Sequence, residues 1–136
     1  MTTAADSNVL LDFLNYDPEF GMASRNALRS CAAEGRLLVC DVVWAEIAGC
    51  FPSISVCREA VAELEIEFSP IQPETAFEAG VAWREYRRHG GARSRVAADF
   101  LIGAHALCQA DRLLTRDHGF YRSYFKRLAI LDPTQS

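Results

Sequence analysis

Lysine is almost missing from this chain: Lys126 is the only one among 14 basic residues, and the rest are arginine. The scarcity decides little alone, because arginine suits bidentate phosphate contacts and the coding composition of a genome produces the same bias. Long apolar runs are missing too. Ala97–Leu107, the longest, is broken by Asp99, Gly103 and His105 and is too short to span a bilayer, so no membrane association is expected. No C-x-x-C pair occurs. The five cysteines (Cys31, Cys40, Cys50, Cys57 and Cys108) are odd in number and lie among apolar neighbours. That pattern favours buried free thiols in a reducing compartment over a zinc site. Met1–Asp6 has neither a basic region nor an apolar core, so no export signal is read, and the expected address is the cytoplasm. Linkers, internal repeats and low-complexity tracts are absent as well. What is present suits one domain over residues 1–136: half of the residues are hydrophobic and 24% are charged.

The hydrophobic pattern alternates between strand-like and helix-like segments. A short strand at Thr2–Ala5 leads into a helix with Val9, Leu10, Phe13 and Leu14 on one face, and Ser7 or Asn8 suits its N-cap. Pro18 is expected to open a second helix that runs to Glu34 and stops at Gly35. Arg36–Cys40 reads as a strand, and Asp41 as the cap of a helix carrying Trp44 and Glu46. Ser53 suits the cap of a helix through Leu64, Ile66–Ser69 a weak strand, and Pro73 the start of a long helix ending at His89-Gly90-Gly91. A helix over Val96–Ala110 carries Asp99 in its first turn. Arg112–Thr115 is the next strand, followed by Asp117, a short aromatic helix and a last strand at Leu128–Leu131. This alternation predicts a parallel sheet covered by helices.

Four acids stand out against that frame. Asp6 and Asp117 directly follow strands, and Glu46 lies in the opening turns after one. Asp99 sits among Ala97, Ala98, Phe100, Leu101 and Ile102, where an unpaired charge is costly. In a wound α/β sheet the carboxyl ends of the strands open onto one crevice. Carboxylates gathered there repel one another unless a cation sits between them, and Mg²⁺ or Mn²⁺ favours oxygen ligands and holds substrate phosphates. Each acid also has a structural reading as a helix cap, a macrodipole partner, an exposed helical residue or a turn former. It is the set that points to metal-dependent phosphodiester chemistry.

The net charge of −4 is unusual for a nucleic-acid enzyme, but the basic residues fall in two stretches. Arg84, Arg87, Arg88, His89, Arg93 and Arg95 form one; Arg112, Arg116, Arg122, Lys126 and Arg127 form the other. Both also read as solvated faces. Gly119–Lys126 interleaves aromatic and basic residues as single-strand binders do, although core packing of Phe120, Tyr124 and Phe125 is the favoured reading. Trp44 and Trp83 read as core, and His105 as a satisfied core histidine. Gly90-Gly91 lacks the Lys-Ser/Thr ending of a phosphate-binding loop.

Asp6-Ser7-Asn8-Val9-Leu10-Leu11, Trp44-Ala45-Glu46-Ile47, the run Ala98–Ala106 and Leu114-Thr115-Arg116-Asp117 together resemble the PIN-domain nucleases, in particular the VapC-type toxins of bacterial toxin–antitoxin pairs. The resemblance implies a three-layer α/β/α sandwich on a parallel, five-stranded sheet, usually dimeric, in which toxin members cut RNA and are held by a cognate antitoxin. It implies that Asp6, Glu46, Asp99 and Asp117 are the catalytic, metal-binding acids, with Mg²⁺ or Mn²⁺ as cofactor. Ser7, Asn8 and Thr115 fall where the family keeps supporting polar residues. Arg93, Arg95 and Arg116 are expected near the substrate's phosphates. Two departures stand out. Thr2-Thr3-Ala4-Ala5 carries smaller side chains than relatives use, so a short or loosely packed strand is expected. His118 and Gly119 replace an extra acid found in some members, which leaves a second metal in doubt. Two rival readings remain: a phosphotransfer protein, though a phosphatase of that kind wants D-x-D and a receiver wants a late lysine that Lys126 poorly supplies, or a non-catalytic module binding antitoxin or RNA.

Overall fold

The computed structural model describes residues 1–91 and 97–135. Five strands, β1 (Thr2–Ala5), β2 (Arg36–Val39), β3 (Ile66–Phe68), β4 (Arg112–Leu114) and β5 (Ala129–Leu131), pair in parallel in the order β3-β2-β1-β4-β5. Seven helices are described: α1 (Ser7–Leu14), α2 (Gly21–Glu34), α3 (Asp41–Ala48), α4 (Ile54–Glu63), α5 (Pro73–Arg88), α6 (Ala97–Gln109) and α7 (His118–Tyr124). The result is a three-layer α/β/α sandwich. Leu37, Leu38 and Val39 are all buried, a continuous apolar run rather than an alternation, because a parallel sheet is covered on both faces.

The chain winds outward from β1 through β2 to β3, then returns to add β4 and β5 on the other side. The direction therefore reverses between β1 and β4, and at such a switch point the carboxyl ends of the strands frame a crevice. The Asp6 N–H donates to the Leu114 carbonyl at 2.9 Å, carrying the β1–β4 ladder to the crevice rim.

The expectation of a loosely packed first strand is corrected. Thr3, Ala4 and Ala5 are buried, and β1 is paired on both sides at the centre of the sheet. Their small side chains let α2 and α6 pack directly on this strand, which is close packing achieved with little volume. A second close approach occurs at Gly103 in α6, where an added Cβ would collide with the Phe125 ring.

Several local expectations shift. Asp6, rather than Ser7 or Asn8, occupies the N-cap of α1 and accepts from Ser7 N. The second helix begins at Gly21 rather than Pro18, because Asp17 Oδ1 accepts from the Glu19 and Phe20 N–H groups at 2.9 and 2.7 Å and holds a turn there. Asp41 is the first residue of α3, with Cys40 in the cap position. Ser53 does cap α4, accepting from Val56 N. Cys50 and Cys108 are exposed, not buried like Cys31, Cys40 and Cys57. Trp83 is 38% exposed rather than core, whereas half-buried Trp44 packs edge-on against Phe68. His105 is the satisfied core histidine expected, its Nε2 lying 3.0 Å from Ser69 Oγ. Among the described residues, no helix is long and apolar enough to cross a membrane.

Candidate active site

Asp6 follows β1 immediately, and its carboxylate is buried. Its Oδ1 accepts from Ser7 N at 2.7 Å and, weakly, from Ser7 Oγ at 3.4 Å. Its Oδ2 accepts two hydroxyls, Thr115 Oγ1 at 2.8 Å and Tyr121 OH at 3.1 Å. Burial pushes the Asp6 carboxyl above its ordinary range, and the nearby Asp99 charge pushes the same way; the bonds from Thr115, Tyr121 and Ser7 pull against both.

Thr115 is the hub of the turn after β4. Its hydroxyl donates to Asp6, and it accepts from the Asp117 N–H at 3.0 Å and from Asn8 Nδ2 at 3.3 Å. Asn8 Oδ1 accepts from the Arg116 N–H at 3.3 Å. The first turn of α1 and the β4–α7 turn are thus laced together by Asp6, Asn8 and Thr115, which fixes the backbone on either side of the switch point. All three expected supporting residues take part, Ser7 through its bonds to Asp6.

Tyr121 donates to Asp6 from α7, the helix that follows Asp117. Its hydroxyl is buried, and its pKa is driven far above the ordinary phenol value, first by that burial and then by the charges of Asp6, Asp99 and Asp117. Asp99, in the first turn of α6, and Asp117, at the N-terminus of α7, are both half-buried. Of the four expected acids, Asp6 is bonded to this hydroxyl, and Asp99 and Asp117 act on it through their charge. Glu46 is not joined to them: it is exposed on α3, a helix that lies against both α1 and α6.

The donors suit a hard cation in kind, since they are carboxylate oxygens on a buried floor. Among the described residues, however, no three His, Cys, Asp or Glu side chains stand close enough together to form a ready-made cage.

Arg116, expected near the substrate's phosphates, is paired with a carboxylate of α1. Its Nε and Nη2 make a bidentate pair with Asp12 at 2.7 and 2.9 Å, and its guanidinium stacks 4.1 Å from the Phe20 ring centroid. Ser24 Oγ also donates to Asp12, at 2.9 Å. Arg93 and Arg95 lie outside the described residues.

Tyr121 and Asp12 escaped the sequence reading. Both carried a signal: Tyr121 stands four residues after Asp117, one helical turn along, and a buried tyrosine needs a partner for its hydroxyl. Asp12 lies between Leu11 and Phe13 on an apolar helix, the same anomaly that singled out Asp99.

The family model for the PIN domain matches residues 4–126. No curated protein matches the chain. Among solved structures, VapBC2 from Rickettsia felis, bound to a promoter DNA fragment, superposes with a TM-score of 0.75 at 18% identity, covering 97% of this chain and 98% of that one. VapBC-1 from nontypeable Haemophilus influenzae gives 0.73 at 19% identity over 99% and 100%. A toxin–antitoxin complex from Klebsiella pneumoniae gives 0.65 at 18% identity over 98% and 99%. At these identities the structures speak for the fold, and the family match over nearly the whole chain shows that it belongs to the PIN domain family.

Proposed function

We propose that this chain is a Mg²⁺- or Mn²⁺-dependent endoribonuclease and the toxin of a type II toxin–antitoxin pair, acting in the cytoplasm, working as a homodimer and held in check by a cognate antitoxin. The observation that carries the reading is the buried Asp6 carboxylate at the switch point of the sheet, bonded to Thr115 and Tyr121, with Thr115 also bonded to the backbone of Asp117. Family membership and the likeness to VapBC and toxin–antitoxin complexes support it.

On this reading Asp6, Asp99 and Asp117 hold the cation directly or through water, and Glu46, on the neighbouring α3, is a ligand or a water-orienting base. Bound there, the cation would lower the pKa of a water for in-line attack and offset charge on the phosphate oxygens. The chain's own contribution is placement. Thr115 and Tyr121 aim the Asp6 carboxylate, and the Thr115 bond to Asp117 N anchors the backbone of the second acid. Asn8 ties the two turns so that they cannot part. Arg93 and Arg95, just before Asp99 in sequence, are the proposed contacts for flanking phosphates. An antitoxin that offers a basic side chain to the carboxylates would occlude the site.

The test is cleavage of structured RNA by the purified protein in Mg²⁺ or Mn²⁺, together with growth of cells expressing it alone. We expect EDTA to stop cleavage, Asp99→Asn to remove most of the rate, and Asp6→Ala or Asp117→Ala to abolish growth arrest. Cleavage undiminished in excess EDTA, or site variants as toxic as the wild type, would overturn the proposal.

A further inference from the structure

We infer that Tyr121 is a positioning residue: its hydroxyl holds the Asp6 carboxylate in the orientation in which Asp6 receives the divalent cation. The inference rests on the metal reading above and adds a residue to that site.

Core packing, rather than the site, sets where the Tyr121 hydroxyl lies. The ring packs edge-on against Phe120 at 5.0 Å between centroids and tilts against Phe125 at 6.4 Å, deep in the aromatic cluster around α7. From that fixed base the phenol tip reaches Asp6 Oδ2 at 3.1 Å. Thr115 reaches the same oxygen from the end of β4, and Ser7 N holds Oδ1 from the first turn of α1. Three donors on three elements define the plane of the carboxylate. Without the phenol, Oδ2 keeps only the Thr115 hydroxyl, and the carboxylate is held less tightly in its plane.

The chemistry of the donor matters as much as its place. A lysine or arginine in this position would bind Asp6 more strongly, but its positive charge would neutralise the cluster and compete with the cation. A phenol supplies direction and leaves the negative charge of the three acids intact. Hydrogen-bond donors that orient a ligating group commonly account for roughly 10–100-fold in metal affinity.

The test is calorimetric titration of the 136-residue, metal-free chain with Mn²⁺, on wild type, Tyr121→Phe and Phe120→Leu, with circular dichroism to confirm the fold. Tyr121→Phe removes one oxygen and keeps the ring, whereas Phe120→Leu disturbs the same aromatic cluster without touching Asp6. We expect Tyr121→Phe to weaken Mn²⁺ binding roughly 10–100-fold and Phe120→Leu to bind close to wild type. In RNA cleavage, Tyr121→Phe should need correspondingly more Mn²⁺ for half-maximal rate, recover at saturating Mn²⁺ and show an unchanged KM for RNA. Equal or tighter Mn²⁺ binding by folded Tyr121→Phe refutes the positioning role and leaves the metal reading standing. Equal weakening by both variants refutes it too, since packing and not the hydroxyl would be responsible. A wild type that binds no Mn²⁺ overturns the metal reading, and this inference with it.

Discussion

Arg116 and Asp12 offer the sharpest test of how this fold fixes the turn that carries Asp117. Two ion pairs in the protein have nearly the same shortest distance and opposite surroundings. Arg116 Nε lies 2.7 Å from Asp12 Oδ2, with the side chains 28% and 6% exposed; Arg36 Nε lies 2.8 Å from Glu67 Oε2, with both side chains more than half exposed. Distance alone predicts equal worth, whereas burial predicts that only the first matters. Removing one partner of a buried pair strands the other charge, at a cost of about 3–5 kcal/mol. Water reaches Arg116 through its partly open side, so we set the expected cost of Asp12→Asn at about 2–3 kcal/mol. Arg116→Met should cost a similar amount, because it leaves the Asp12 charge buried. With a urea m-value near 2 kcal/mol/M, either change should lower the unfolding midpoint by about 1–1.5 M. Glu67→Gln should leave the midpoint almost where it was. The double variant Asp12→Asn/Arg116→Met should be less destabilised than the sum of the single changes, since neither charge is then stranded. If Asp12→Asn moves the midpoint no further than Glu67→Gln does, burial is not what makes this pair matter.

Melting at pH 7.5 separates a metal site from unrelated helix caps. Like charges held close destabilise the empty fold, so in EDTA both Asp99→Asn and Asp117→Asn should melt at or above wild type while losing the rise that metal gives. For wild type that rise should be about 1.4 kcal/mol with free metal roughly tenfold above its dissociation constant, and variants that melt clearly lower yet gain as much from metal would mark the acids as structural. A pH series addresses His105, whose burial holds its pKa below the ordinary 6.5. The unfolded chain then binds the proton more readily, so the contribution is complete above pH 6.5 and fades as pH falls through the folded value. His105→Gln lacks that acid-side loss, so the wild-type-minus-variant stability difference should fall as pH drops from 7.5 to 5, and a flat difference over that range would contradict the assignment.

Much of the architecture could be read from the chain because the signals are local. Apolar runs bounded by turn residues marked every strand to within two residues, and Pro73, Ser53 and Gly35 punctuate helices where capping chemistry requires them. The alternation of strand and helix already demanded a covered parallel sheet. Asp6 and Asp117 were conspicuous because each follows such a run, and Asp99 because its neighbours are apolar.

The tertiary structure decided what lies next to what. Thr115 and Tyr121 meet Asp6 across 109 and 115 residues of sequence, and no periodicity reports a contact of that range. The small side chains of β1 suggested a weak strand when read alone; only the sheet order shows them at the centre, where low volume lets helices close in. Only the fold shows that Arg116 pairs with a buried carboxylate of α1 and that Glu46 is exposed on α3. Sequence determines which chemical groups stand at the ends of strands, because residue type and local pattern are written in it. Which of those charges face each other depends on strand order and helix packing, and these are settled by burying apolar area over the whole chain at once.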